Sequence, residues 1–504
     1  MSDSSAPALP TVHCIDPGDD VAIALADLAA GSAPRIDGIA LQVEDAVPRG
    51  HKVALRDVAA GAPLRKYGFP IGIASQPIRR GQWVHTHNLR TALAGADSYA
   101  WEAPSDARER RGVASADSFQ GYRRADGRVG TRNEIWILST VGCVARTARR
   151  IAELARARYA GRVDGIHAFT HPYGCSQLGD DLARTRRILA GLATHPNAGG
   201  VLLLGLGCES LQLKGLLAAI DGADLARVRA FDSQQADDEV ERGVEAVGEL
   251  VALAERDRRE SCALADLVVG LKCGGSDGFS GISANPLLGR VADRVAAAGG
   301  TPILTEIPEI FGAERLLMRR AADRAVFEGI VSVVNDFKRY FLDHGQPVHE
   351  NPSPGNIAGG ITTLEEKSLG AVQKAGHATV TQVLRYGERA RAGGLALLEA
   401  PGNDAVSSTA LVAAGATVLL FTTGRGTPLG FPVPTLKVAS NSALANAKPR
   451  WIDFDAGAVL AGTSAEAAGT ALYERVLETA SGAPARNELN DERDIAIWKD
   501  GVTL

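Results

Sequence analysis

Four cysteines in this sequence share one local context. Each lies beside a glycine, at or just beyond a run of apolar residues: Cys143, Cys175, Cys208 and Cys273. Glycine lets the backbone turn and lets a metal or substrate approach closely, and thiolates suit iron and zinc. The repeated context indicates a shared thiol-lined site, although the spacing matches no compact zinc motif and free cysteines are commonly small buried apolar residues. Cys14 and Cys262 lack this context, and we interpret both as structural.

A pair of histidines provides a second set of candidate metal ligands. His85 and His87 lie in a strand-like stretch, VHTHN, at residues 84–88. Because strand side chains alternate between two faces, both imidazoles would share one face, as a chelating pair requires. His13 could approach them across the same small region, and a divalent metal held there would polarise a carboxylate of the substrate. The alternative is a pair of exposed strand histidines.

A glycine-rich loop, KCGGSDG at residues 272–278, directly follows an apolar strand. Its candidate anion-binding residues are Gly274, Gly275 and Ser276. Their backbone N–H groups could surround an anion, while Asp277 could serve as a ligand or as a general acid or base beside Cys273. An ordinary glycine turn is the alternative, but few turns carry a thiol, a hydroxyl and a carboxylate together.

Two later loops carry candidate substrate-binding groups. The first is made rigid by its prolines and contains Asn351, Ser353 and Asn356, whose polar groups could form hydrogen bonds with sugar hydroxyls. Such Pro/Gly/Asn clusters are also the commonest loop composition. The second follows an apolar strand and contains Thr423 and Arg425. An arginine flanked by glycines is exposed enough for bidentate binding of a carboxylate, so Arg425 is the best candidate for that role.

A further cluster, HPYGCSQ at residues 171–177, combines an imidazole, a phenol and a thiol at a strand end. His171 and Tyr173 could act as a general base and acid near neutral pH. A single histidine in this position is more often structural.

The elements that must position these residues fall into three regions. After a tail at residues 1–10, short alternating strands over 11–95 predict a small all-β domain, and 96–120 have the composition of a linker. Apolar strands then alternate with amphipathic helical stretches over 121–262 and again over 263–504. This alternation predicts two α/β regions with largely parallel sheets, in which ligands gather beyond the carboxyl ends of the strands.

Composition excludes several classes of protein. A chain of 504 residues needs more than one core, and a formal charge of −5 leaves no basic surface of the kind that nucleic acid requires. The apolar runs are too short to span a membrane. The first residues lack a secretory signal, and six cysteines are too few for a disulfide scaffold. We therefore expect a cytoplasmic enzyme that forms a homo-oligomer.

The motifs TVGCV, YGCSQLGDD, GLGCE, CGGSDGFSGISANP, NPSPGN and TTGRGTP occur here in an order that resembles the altronate/galactarate dehydratase family. The resemblance covers nearly the whole chain. It implies that the small β domain is of the SAF type and that the two α/β regions form the large part of the enzyme. The segment VHTHN, residues 173–181 and residues 306–314 resemble the altronate branch, so galactarate is the second choice of substrate.

The resemblance implies the loss of water from D-altronate to give 2-dehydro-3-deoxy-D-gluconate, with Fe²⁺, Mn²⁺ or another divalent metal. We expect Arg425 and the metal to hold the substrate carboxylate, His171 or Asp277 to remove the C2 proton, and Tyr173 or a metal-bound water to protonate the leaving hydroxyl. Two alternatives are the release of sulfite from a sulfonated hydroxy acid and a binding module without catalysis.

Overall fold

The computed structural model describes residues 10–36, 38–101, 117–220, 225–391 and 393–504. These residues form a small β unit followed by two α/β units, which confirms the predicted fold class. The predicted tail, apart from Pro10, and most of the predicted linker lie outside the described residues.

The small unit is built from short antiparallel strands joined by tight turns. One sheet contains, in spatial order, Val12–His13, Val21–Ala24, Lys52–Ala54 and Trp83–Val84. A second contains Pro63–Lys66, Phe69–Ala74 and Leu89–Arg90, and Arg35–Ile36 pairs with Ile39–Ala40. The strand Pro63–Lys66 alternates between exposed and buried side chains, which is the period of two expected for a half-buried strand.

The second unit contains a four-stranded parallel sheet flanked by helices. Its strands, in spatial order, are Gly165–Phe169, Glu134–Ser139, Ala198–Gly205 and Val228–Asp232. Its helices are Ala145–Arg158, Gly179–Ala193, Leu213–Leu217 and Glu239–Ala254, with short 3-10 turns at Gly142–Val144, Leu225–Arg227 and Ser233–Gln235. The strands are apolar on both faces because helices cover both sides of the sheet.

A small antiparallel sheet closes the second unit. Ser118–Arg123 pairs with Val129–Gly130 on one side and with Glu260–Ala263 on the other. The boundaries predicted after residues 120 and 262 both fall inside this sheet. Its two main strands are far apart in sequence, so the local pattern of neither strand indicates the pairing.

The third unit is built on seven parallel strands. In spatial order they are Val380–Leu384, Leu395–Leu398, Thr301–Leu304, Val268–Cys273, Val418–Thr423, Thr435–Ala439 and Phe454–Asp455. Its α-helices are Ala284–Ala297, Glu314–Met318, Arg324–Asp343, Pro354–Ala358, Leu364–Ala371, Asp404–Ala413, Ser442–Ala447, Ala465–Ala480 and Arg486–Leu489. The 3-10 turns are Leu264–Asp266, Ile307–Ile310, Val372–Ala375 and Ala456–Ala461.

The small unit packs directly on the third unit. Lys52 and Lys66 are buried and donate to the two carboxylate oxygens of Glu366, at 2.8 and 2.7 Å. Leu64 and Leu271 belong to one continuous apolar core. No helix within the described residues is both long and apolar enough to cross a membrane.

Candidate functional site

The strand order of the third unit defines a crevice. Val268–Cys273 and Val418–Thr423 are adjacent and parallel, but the chain leaves the first strand toward Thr301–Leu304, on the opposite side. The loops that follow the two strands therefore diverge from each other. Ligands bind in such crevices at the carboxyl ends of parallel strands, so this edge of the sheet is the candidate functional site.

A buried network of ionisable groups lies at this edge. Lys374 Nζ lies 2.7 Å from the Cys273 sulfur and 2.8 Å from a carboxylate oxygen of Glu306. Lys272 donates to Glu306 and, at 2.8 Å, to Asp404. Glu306 has φ 69°, a left-handed conformation that is unusual for a residue with a side chain. Such strained residues are concentrated at functional sites.

The network continues through Glu309. This carboxylate receives a bond from Lys367 at 2.9 Å and lies 3.3 Å from the Cys273 thiol, which donates to it. Burial alone would raise the pKa of Glu309, but the neighbouring lysines lower it to about 2. Burial, followed by the charge of Glu306, raises the pKa of Cys273 to about 12. Cys273 is therefore a protonated thiol at neutral pH, and Glu309 is ionised.

The loop with the predicted amide groups supports this network. Lys367 Nζ also donates to Asn351 Oδ1 at 2.9 Å and to Asn356 Oδ1 at 3.1 Å. Ser353 caps the short helix Pro354–Ala358, and the Asn356 amide donates to the backbone oxygen of Ser276 at 2.9 Å. The structure thus brings together the predicted residues of the 272–278 and 351–356 loops.

Asp277 fixes the other side of the crevice. Its carboxylate accepts from Ser440 Oγ at 2.8 Å, Ser280 Oγ at 2.9 Å and Asn441 Nδ2 at 3.1 Å. Burial raises its pKa, and these hydrogen bonds offset part of that shift. A Cβ at Gly424 would collide with this carboxylate, so the loop after Val418–Thr423 can pass this close only with glycine there.

Arg425 lies at the exposed rim of the crevice, next to the glycine-rich loop. Its guanidinium donates to the backbone oxygen of Gly355 at 3.3 Å, and its Cβ would be 3.6 Å from a Cβ at Gly275. Gly275 itself has φ 63°, and a side chain there would press against the Thr423 hydroxyl. An exposed guanidinium beside two glycine-containing loops is accessible to a substrate carboxylate.

The small unit contributes a histidine cluster to the same region. His51 and His85 are buried and lie edge to face with ring centres 4.8 Å apart, and Trp83 stacks on His85 and contacts His87. Burial, followed by the charge of Lys52, lowers the pKa of His85 to about 4, so its ring is neutral.

The Thr362 loop joins this cluster to the third unit. Thr362 Oγ1 lies 3.2 Å from His85 Nδ1 and accepts from Lys52 at 2.6 Å. In the glycine-rich loop at 272–278, a Cβ at Gly278 would collide with the backbone oxygen of Gly50. The histidines of the small unit therefore adjoin the loop that carries Asp277.

The predicted histidine ligands do not form one set. His13 lies on the opposite edge strand of the sheet from Trp83–Val84, which His85 and His87 follow. Within the part of the chain that the structure describes, the one group of three His, Cys, Asp or Glu side chains with ligand atoms within 4.8 Å of one another is Cys273, Glu306 and Glu309. His85 and His87 lie in the turn after Trp83–Val84, not on a strand, so the period of two does not apply to them, and His85 is buried whereas His87 is exposed. The sequence also does not fix the order of strands, which separates His13 from both.

The predicted set of four thiols is also divided. Cys273 is buried in the third unit, whereas Cys143, Cys175 and Cys208 are exposed in the second unit. Sequence context alone could not separate them, because all four follow an apolar strand and adjoin glycine.

His171 is buried in the second unit, and both of its ring nitrogens contact the backbone. Nε2 lies 3.0 Å from the oxygen of Ser139, and Nδ1 accepts from the N–H of Tyr173 at 3.1 Å. Burial lowers its pKa to about 4. Its tautomer is therefore fixed by the fold, and it positions the loop that carries Tyr173, which stacks on it.

Sequence reasoning missed four members of the buried network as site residues: Glu306, Glu309, Lys374 and Asp404. Glu306 and Asp404 follow the strands Thr301–Leu304 and Leu395–Leu398, so the strand-end rule could have found both. Lys374 lies in a 3-10 turn with no local signal of its role.

A ferrous ion among Cys273, Glu306 and Glu309 would fit poorly. Each of these side chains already contacts a buried lysine, and the positive charges of Lys272, Lys367 and Lys374 match the negative charges of Glu306, Glu309 and Asp404. A divalent cation would add two uncompensated charges to a buried site, which is costly. The residues present therefore do not fit this metal.

The fold and this crevice define an α/β enzyme whose site suits a small anionic substrate. Three family models match the chain in order: the altronate/galactarate dehydratase SAF domain over residues 11–92, the second domain of D-galactarate dehydratase/altronate hydrolase over 121–255, and the C-terminal region of D-galactarate/altronate dehydratase over 264–503.

Whole-chain relatives agree with these matches. The chain is 51% identical to an altronate dehydratase of Escherichia coli K12, over 98% of this chain and 99% of the relative. It is 49% identical to an altronate dehydratase of Bacillus subtilis 168, over 96% and 98%. A galactarate dehydratase (L-threo-forming) of Escherichia coli K12 is 34% identical, over 92% and 91%. The chain therefore belongs to the altronate/galactarate dehydratase family, and it is a hydro-lyase that acts as a sugar-acid dehydratase.

Proposed function

We propose that this enzyme removes water from D-altronate to give 2-dehydro-3-deoxy-D-gluconate. The observation that supports this choice is identity: 51% and 49% to two altronate dehydratases, against 34% to a galactarate dehydratase, each over nearly the whole chain. We also propose that it works as a homo-oligomer in the cytoplasm, as many metabolic enzymes do.

The crevice contains groups suited to the first step of such an elimination. Arg425 binds the substrate carboxylate, which lowers the cost of the negative charge that develops when the C2 proton leaves. Asp277 accepts that proton, because its raised pKa makes it a stronger base than an ordinary aspartate. Asp277 then delivers this proton to the C3 hydroxyl, which leaves as water, so the carboxylate is regenerated and the elimination balances.

The neutral histidines and the buried network have supporting roles in this proposal. His85 presents an uncharged ring near the Asp277 loop, and with Nδ1 accepting from Thr362 its Nε2 can donate a hydrogen bond to a sugar oxygen. His51 accepts from Trp83 Nε1 at 3.3 Å and packs against the His85 ring. The lysine–carboxylate network holds the 351–356 loop and the Cys273 strand end in place. We also propose that the enzyme depends on iron, held away from this crevice.

The test is turnover by anaerobically purified enzyme, supplied with ferrous iron, on altronate, galactarate, mannonate and sulfolactate. The 2-keto product and sulfite are measured separately. We expect kcat/KM for altronate to exceed that for every other substrate by at least about tenfold. The Arg425→Ala variant should lose about 100-fold in kcat/KM, whereas Arg324→Ala, at an exposed helical ion pair, should match the wild type. Preference for galactarate, or release of sulfite, would contradict the proposal.

A further inference from the structure

Half of the six cysteines in this chain are exposed, which is unusual because cysteine is among the most buried residue types. These are Cys143, Cys175 and Cys208. They follow three neighbouring parallel strands that end at Ser139, Phe169 and Gly205. All three thiols therefore lie beyond the same edge of the second unit's sheet.

This edge is also a topological switch point. The chain leaves the central strand Glu134–Ser139 for Gly165–Phe169 on one side and later enters Ala198–Gly205 on the other. The loops after the central strand and after Ala198–Gly205 carry Cys143 and Cys208. By the rule that located the crevice of the third unit, a ligand belongs between them.

Backbone contacts hold the three thiol loops against one another. Gly142 N–H donates to the oxygen of Tyr173 at 2.9 Å, and Leu211 N–H donates to the oxygen of Gly174 at 3.0 Å. Gly174 has φ 97°, and a Cβ there would collide with the backbone oxygen of Thr140. The glycine beside Cys175 is thus needed because the first loop passes so close.

Polar groups order the third loop around its thiol. Glu209 accepts from the backbone N–H groups of Leu206 and Gly207, at 3.0 and 2.7 Å, and from Thr140. The Gln234 amide donates to the Cys208 sulfur at 3.6 Å. A side-chain donor aimed at a cysteine sulfur is typical of metal–thiolate sites, where it tunes the bound metal.

We propose that Cys143, Cys175 and Cys208 bind an iron–sulfur cluster of the four-iron type. Each thiol loses its proton as its sulfur bonds to one iron, and the fourth iron has no cysteine ligand. A single zinc ion, with Zn–S bonds of about 2.3 Å, would need thiols about 3.8 Å apart. No group of three ligands that includes these thiols converges within 4.8 Å among the described residues. A four-iron cluster separates its cysteine sulfurs further than one ion does, so it fits three neighbouring thiols that are not all within 4.8 Å of one another.

A cluster at these thiols also gives the enzyme a site for iron outside the Cys273 network, where a ferrous ion fits poorly. The Cys273 network is already neutralised by lysines, whereas the described surroundings of the exposed thiols include no lysine contact to sulfur. A thiophilic iron centre gains three anionic ligands here without displacing a buried ion pair.

The test uses the full-length protein, purified without oxygen and incubated with ferric iron, sulfide and dithiothreitol, which reduces part of the iron to the ferrous state that the cluster also contains. Iron and acid-labile sulfide are counted per chain, and the reduced and oxidised protein is measured by visible absorption and electron paramagnetic resonance. We expect about four irons and four sulfides per chain. Cys143→Ser, Cys175→Ser and Cys208→Ser should each lose most of the bound sulfide and the cluster signal.

Cys14→Ser is the matched control and should keep the full cluster. Circular dichroism of every variant checks the fold, which the exposed positions of the three thiols should leave intact. Because the readouts are iron, sulfide and spectra, they are independent of which sugar acid is the substrate. Binding of iron or zinc without sulfide, or a cluster that survives the three substitutions, would overturn the proposal.

Discussion

Glu366 is the residue on which the contact between the small unit and the third unit depends. It is buried and shared by Lys52 and Lys66. Burial alone would raise its pKa, but the two lysines lower it from 4.5 to about 2. A carboxylate whose pKa is lower in the folded than in the unfolded state stabilises the fold above its unfolded pKa, and this stability is lost as pH falls toward the folded pKa.

The first prediction is therefore acid sensitivity between about pH 4.5 and pH 2, to which Glu309 adds in the same direction. The urea midpoint, measured from pH 6 downward, should fall steeply in this window. Glu366→Gln should be less stable at pH 6, because it leaves two buried lysines without a carboxylate, and should show a shallower fall. Glu328→Gln, at an exposed pair, should follow the wild-type curve, and an unchanged slope in Glu366→Gln would contradict the assignment.

At the residue scale, the structure brings together two strand-end loops and the proline-containing loop that the sequence analysis singled out. Asp277, Asn356 and Arg425 were predicted, and they line one crevice. Lys374 was not predicted, because its role comes from a contact with Cys273 across about a hundred residues of sequence. His171 was predicted as a base, but only the fold shows that the backbone contacts both of its nitrogens.

At the scale of elements, the C-terminal segment ties the third unit to the thiol loops. Ala496 N–H donates to Thr409, in the third unit, at 2.9 Å. Further on, Asp181 accepts from the N–H groups of Asp500 and Gly501 at 3.1 and 2.8 Å. Leu504 N–H donates to the oxygen of Ser176, beside Cys175, at 3.0 Å. Asp181 therefore anchors the segment close to its end, together with Arg184, which pairs with Asp500 at 2.7 Å.

The second prediction is that Asp181→Asn releases this segment. Losing hydrogen bonds to a charged acceptor costs about 1 to 3 kcal/mol, so the segment should open more often and carboxypeptidase should remove its last residues roughly tenfold faster. Asp180→Asn, at the exposed neighbouring position, is the matched control and should be digested at the wild-type rate. Equal digestion of both variants would show that Asp181 does not hold the segment.

Sequence periodicity predicted the strands and helices themselves better than it predicted which strands pair with each other. The apolar strands and following helices of both α/β units are local patterns, and they form the two parallel sheets. The pairing of Ser118–Arg123 with Glu260–Ala263 joins strands separated by the whole second unit. Strand order has no local signature, which is also why His13 was placed beside His85.

At the scale of the whole molecule, contacts on the surface of the small unit attach it to the third unit. Besides the Glu366 pairs, Thr91 Oγ1 donates to Glu365 at 2.9 Å and Ala92 N–H donates to the same carboxylate at 2.6 Å. Thr363 donates to the backbone oxygen of Ile71. These hydrogen bonds lie beside an apolar core that the two units share. The docking therefore does not depend on the chain between the units.

The third prediction tests this independence in the intact enzyme. A protease recognition sequence is inserted within residues 102–116, and the folded protein is cut there. The two pieces should still elute together from a sizing column, and activity should remain within about twofold of the uncut protein. The same cut in the Glu366→Gln background should yield pieces that separate. Separation of the wild-type pieces would show that the connecting chain is required.

The buried contact of Glu366 with two lysines also bears on how such an enzyme can be encoded. If noncovalent contacts alone fix where the small unit sits, an unbroken polypeptide is only one way of supplying it. Two separate genes would produce the same active site, at the cost of making its assembly depend on the concentration of each product. Fusion into one chain removes that dependence, because the small unit is then always present at a high effective concentration.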